Sequence, residues 1–117
     1  MIYLCNTFSL HMLQRMNCGE TTNVEMTRIS AQDAGRLLRS NAFRSFYGHK
    51  NSAYHLSRYL HLTIPISRGM ITLRESDMLL VAAVNSKRAW EHGLKGCPGW
   101  RFYLVTVRKE APDEDRA

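Results

Sequence analysis

The run Met78 to Val84, MLLVAAV, constrains this chain more than any other segment. It is apolar almost without interruption and follows Asp77. A strand with no polar alternation buries both of its faces. The segment therefore predicts the middle of a sheet, covered on either side. No apolar run approaches the roughly 20 residues that cross a bilayer, so no membrane partner is expected. The N-terminus lacks the basic start and long apolar stretch of a secretory signal.

The other elements follow from periodicity and punctuation. Ile2 to Phe8 reads as a first buried strand, followed by Ser9 as the cap of a short helix over Leu10 to Arg15. Val24 to Ile29 alternates weakly, as a strand does. Ser30-Ala-Gln-Asp33 resembles a capping box and opens a helix to about Arg39. Asn41 to Tyr47 fits no single element, and residues 48–52 read as a loop. Ser52 then caps a helix over Ala53 to Leu62, Pro65 ends that region, and Met70 to Leu73 reads as a short strand. Trp100 to Val107 is the last strand. The order β-α-β-α-α-β-β-β predicts an α/β single domain with a central mixed β-sheet flanked by helices. The 117 residues suit one domain, placed over 1–109, with 110–117 as an acidic, frayed tail.

Charge gives the first functional direction. The chain carries 16 Lys+Arg against 10 Asp+Glu, and four of those acids lie in Glu110 to Ala117. The body is thus strongly basic and favours an anionic partner: a nucleotide, a nucleic acid or an acidic surface. The three cysteines, Cys5, Cys18 and Cys97, are odd in number and widely spaced. They indicate neither a zinc module nor a disulfide framework, and they fit a reducing cytoplasm.

His49 follows Gly48 in a polar loop just before a helix. Helix N-termini attract phosphate, and glycine lets backbone come close to a ligand. An imidazole there suits acid–base work on a phosphodiester, although a surface loop histidine looks the same in sequence. His55 and His61 read as surface or packing residues. Lys87, Arg88, Glu91, His92 and Gly93 form a second cluster in the long segment after the central strand, where loops often carry function. Arg68 is a third basic candidate. Acids are too sparse before the tail for a two-metal nuclease site. Phosphodiester chemistry here should need no metal and no cofactor, which leaves a substrate 2′-hydroxyl or a protein side chain as nucleophile.

Four segments, in order, resemble one family. Tyr3 to Leu13 is similar to its opening strand, Tyr47-Gly48-His49 to its Gly-His helix start, Ile64 to Arg68 with Asp77 to its Pro–Arg turn, and Arg88 to Gly93 to its Arg-x-x-Glu-Gly loop. The family is the viral ring nucleases, type III anti-CRISPR proteins that degrade cyclic tetra-adenylate. The resemblance implies a homodimer holding one ring in a shared pocket, with no stable DNA complex. His49 matches the catalytic histidine. Glu91 is a second expected catalytic residue, and Asn6, Ser9, Gly48, Arg68 and either Lys87 or Arg88 are expected at the substrate. Ala83 stands where the family often has Gln, Ser67 where it has Asn, and Glu91-His92-Gly93 is one residue longer than Glu-Gly. The implied reaction is attack by a ribose 2′-oxygen on its phosphorus, giving linear di-adenylates with 2′,3′-cyclic phosphate ends. The expected effect is to silence type III CRISPR defence in a host cytoplasm. The competing expectation is a basic dimeric nucleic-acid-binding module without catalysis.

Overall fold

A computed structural model describes residues 1–84 and 99–110 of the chain. Five strands form one mixed sheet: β1 (Ile2–Cys5), β2 (Thr22–Ile29), β3 (Phe43–Ser45), β4 (Met78–Val84) and β5 (Trp100–Lys109), in the order β2-β5-β4-β1-β3. Strand β1 runs parallel to both β3 and β4, whereas β5 is antiparallel to β4 and to β2. The apolar run at 78–84 is β4, third in that order. Its neighbours β1 and β5 satisfy both backbone edges, and its side chains enter two cores. Leu80 and Ala82 point to one face, Leu79 and Val81 to the other. The α/β mixed sheet expected from the sequence is thus present.

The two faces are covered differently. Helices α1 (Ala31–Ser40) and α2 (Lys50–Leu60) both lie on the first face. Ala34 and Leu38 of α1 join Ala53, Leu56 and Leu60 of α2 over Leu4, Leu80, Ala82 and Phe102. Each large aliphatic side chain buried there contributes about 1.5–3 kcal/mol. The second face has no α-helix among the described residues. Met12, from a 3-10 turn at Leu10–Met12, and the loop residues Ile71 and Leu73 cover it instead.

Several local expectations are corrected. The first strand ends at Cys5 rather than Phe8, and the short helix is three residues of 3-10 helix, Leu10–Met12, rather than six of α-helix. Met70 to Leu73 is not a strand: Ile71 and Leu73 alternate because they peg the loop into the second core, and Leu73 makes only an isolated bridge to Leu13. Helix α2 starts at Lys50, three residues earlier than its sequence suggests, with His49 rather than Ser52 as its cap. At its far end His61 adopts a left-handed conformation (φ 57°), and Arg39 Nη1 donates to the Leu60 carbonyl at 3.0 Å. Ser30 caps α1 as expected, since the Asp33 N–H donates to Ser30 Oγ at 3.0 Å, whereas the Asp33 carboxylate lies 3.8 Å from Arg36 Nη1. No helix among the described residues is long and apolar enough to cross a membrane.

Candidate functional site

Because β1, β3 and β4 are parallel, their C-terminal ends share one edge of the sheet. The chain leaving β1 turns onto the loop-covered face and that leaving β3 turns onto the helical face. Adjacent strands whose exits diverge in this way leave a crevice, the usual ligand position in open α/β sheets. A cleft of about 640 Å³ lies there. Its floor is Tyr47 with Ala82, Ala83 and Val84, and Asn6, just past β1, stands at one side. Its polar wall is the start of α2: His49, Lys50, Asn51, Ser52 and, one turn further, His55.

Tyr47 fixes that wall. Its ring is buried (2% exposed) and its hydroxyl donates to the Ala82 carbonyl across the cleft floor. Burial, with a smaller contribution from Cys5, pushes the phenol well above its ordinary pKa, so it stays neutral. The Tyr47 carbonyl accepts from the Ser67 N–H at 3.1 Å, and the Gly48 carbonyl accepts from Arg68 Nε at 3.4 Å. His49 follows this braced pair. Its backbone is extended (φ −107°, ψ 122°), and its carbonyl accepts the first helical bond from Ala53 at 3.0 Å. The side chain makes no capping bond and is exposed.

The electrostatics of the cleft favour an anion. The first turn of α2 holds no acidic residue, and first-turn N–H groups lack intrahelical partners and carry the positive end of the dipole. Lys50 adds a full positive charge, and no carboxylate lines the cleft among the described residues. Nor do three or more His, Cys, Asp or Glu side chains gather into a metal-binding group among them. A second groove, of about 570 Å³, runs along β2 and β5, but it is lined by Glu25, Glu75 and Arg108 and, among the described residues, by no imidazole.

A sequence profile of the STIV B116-like family matches residues 2–94. The chain belongs to the STIV B116-like family. The matched span takes in β1, α2 and β4, the elements that form the cleft. B116 of Sulfolobus turreted icosahedral virus is similar in fold, with a TM-score of 0.69 over 90% of this chain and 97% of that one at 16% identity. No curated protein matches the sequence.

In this B116-like chain the expected site residues divide into groups. His49 and Asn6 share the cleft. Gly48 and Arg68 adjoin it, and there the stem of Arg68 packs against Gly48: a Cβ added to Gly48 would lie 3.4 Å from Arg68 Cγ. The glycine therefore faces Arg68, and its φ is not left-handed. Ser9 lines a different, smaller cavity of about 260 Å³ with Cys5, Met12 and Phe46, on the other face of the sheet. Lys87, Arg88 and Glu91 lie outside the described residues, as does the tail from 111 onward. The sequence reading missed Lys50, Asn51, Ser52 and His55. Asn51 and Ser52 stand four and three residues before His55, the spacing of a shared helix face. That spacing was the available signal, and the late placement of the helix start concealed it.

Proposed function

We propose that this chain is a metal-independent ring nuclease that cleaves cyclic tetra-adenylate. The observation that carries the reading is His49: an exposed imidazole, uncommitted to capping, at the mouth of a cationic helix start that lines a cleft. The resemblance of four sequence segments to ring nucleases supplies the substrate, and membership of the B116-like family is consistent with it.

The residues support a simple division of labour. Lys50 and the first-turn N–H groups of α2 hold a phosphate and stabilise the charge that grows on its oxygens in the transition state. His49 donates a proton to the departing 5′-oxygen, an otherwise poor leaving group; such general acid catalysis contributes about 10²–10⁴-fold. The cleft holds the ribose so that its 2′-oxygen and the leaving oxygen lie in line. Two copies related by a two-fold axis would present two His49 side chains to opposite sides of one ring.

The test is incubation of purified protein with labelled cyclic tetra-adenylate in EDTA, with the products resolved. Linear di-adenylates ending in 2′,3′-cyclic phosphate are expected, as is their loss in His49→Ala with binding retained. A 2′-deoxy ring should bind uncut. Turnover that survives His49→Ala rules out the proposed acid. Absence of cutting, together with salt-sensitive binding to DNA or RNA that is indifferent to His49, would establish the non-catalytic binding module instead.

A further inference from the structure

We infer that His55 is the second catalytic group of this cleft, accepting the proton of the attacking 2′-hydroxyl while His49 protonates the departing oxygen. This rests on the ring-nuclease reading above and gives His55 a role for which the family resemblance offers Glu91, a residue outside the described ones. Transfer of a phosphoryl group from a 5′-oxygen to a 2′-oxygen needs a proton removed at one end and delivered at the other. One imidazole supplies only the second.

The described lining of the cleft leaves few candidates for the first. Lys50 is an ammonium with donors only. The Tyr47 hydroxyl donates to the Ala82 carbonyl and is held neutral by burial. Asn6, Asn51 and Ser52 are not bases in water, and the rest of the floor is Ala82, Ala83 and Val84. Among these described residues only His49 and His55 carry an imidazole, a side chain able to serve as acid or base.

The geometry fits the pair. Both imidazoles belong to α2, His49 as its cap and His55 half-buried six residues later. Both side chains line the one cleft, in which an in-line displacement would place its attacking and leaving oxygens. The Tyr54 and His55 rings meet edge to face at 5.6 Å between centroids. Among the described residues, the charged or titratable groups near His55 include Lys50, His49 and Tyr54 on its own helix, Tyr47 on the cleft floor, and Arg58. The last is bound to the Tyr54 hydroxyl at 3.0 Å.

The step balances. The His55 nitrogen takes the 2′-hydroxyl proton as the 2′-oxygen–phosphorus bond forms. The phosphorus–5′-oxygen bond breaks, and that oxygen takes its proton from the His49 imidazolium. One phosphodiester is exchanged for a cyclic one and a free 5′-hydroxyl. The two histidines end in exchanged protonation states, which solvent resets.

Single-turnover cleavage in EDTA tests this, using wild type, His49→Ala, His55→Gln and Glu91→Gln on two substrates: the natural ring and a ring whose bridging 5′-oxygens are sulfur. Thiolate leaves without a proton, so sulfur should restore His49→Ala and leave His55→Gln slow. His55→Gln is expected to fall about 10²–10⁴-fold in rate. It should lose the acidic limb of the pH–rate profile and bind the uncut 2′-deoxy ring within a few-fold of wild type. Imidazole in the buffer should partly rescue His55→Ala, which covers the case in which the glutamine variant folds poorly. Cleavage by His55→Gln within a few-fold of wild type overturns the assignment, as does loss of the acidic limb in Glu91→Gln instead. Failure of wild type to cut either ring overturns the ring-nuclease reading itself, and this assignment with it.

Discussion

Tyr47→Phe removes one oxygen atom and isolates the bond that ties the His49 turn to β4. The ring keeps its place in the core, so the loss is confined to the hydroxyl and the Ala82 carbonyl it meets. Ala82 is fully buried, and a buried acceptor stripped of its donor costs about 1–3 kcal/mol. Unfolding entropy of about 2.1 cal/mol/K per residue gives roughly 0.25 kcal/mol/K for a chain of this length. The expected fall in Tm at neutral pH is therefore about 4–12 °C, read by circular dichroism. The same variant has a signature in alkali. Burial raises the folded-state pKa of Tyr47, while the unfolded phenol ionises near its ordinary value of about 10. The folded chain then holds more protons, so the contribution of Tyr47 is complete below about pH 10 and drains away as pH rises beyond it. Wild type should lose stability on that limb faster than Tyr47→Phe. A variant with an unchanged Tm and the same alkaline slope as wild type would refute the reasoning, because it would mean that the hydroxyl is neither buried nor bound.

Two further substitutions probe the platform and the turn. Leu56→Ala empties a fully buried position beneath α2 and should cost about 2–5 kcal/mol, measured by urea unfolding; a loss under 1 kcal/mol would show that the helix is not seated on the sheet as described. Gly48→Ala should be tolerated, with Tm within about 2 °C of wild type and cleavage within a few-fold, because the added Cβ meets the Arg68 side chain and the Ser67 carbonyl at ordinary contact distances and the backbone is not left-handed. Abolished cleavage with an unchanged Tm would show that the ligand approaches this backbone directly.

What the sequence revealed depended on whether the signal was local. The helix cap at Ser30 was legible because its bond lies within four residues. The run at 78–84 was legible because burial on two faces leaves no room for polar side chains. Strand β3 was not, since three residues of mixed polarity become a strand only by pairing with β1. Strand β2 was faint for a different reason. It is the sheet edge, and most of its side chains, including Val24 and Met26, are exposed. No core enforces its alternation. The start of α2 was misplaced because Ser52 is a better intrinsic cap than histidine. Tertiary bonds at Tyr47 and Gly48 override that preference and bring the helix in three residues sooner.

That override has a functional consequence. A helix capped at Ser52 would leave His49, Lys50 and Asn51 on a loop, each free to sample many conformers. Ordering them on binding would cost about 1–2 kcal/mol per residue in backbone entropy. Starting the helix at Lys50 meets that cost during folding and aims the first-turn N–H groups at the crevice before a ligand arrives. The parallel arrangement of β1, β3 and β4 dictates where the crevice opens. The Tyr47–Ala82 bond then decides which residues of the following helix stand at its mouth. The placement of His49 at the cleft thus depends on a tyrosine two residues before it and on the bond that tyrosine makes to β4, a contact 35 residues away that no local pattern signals.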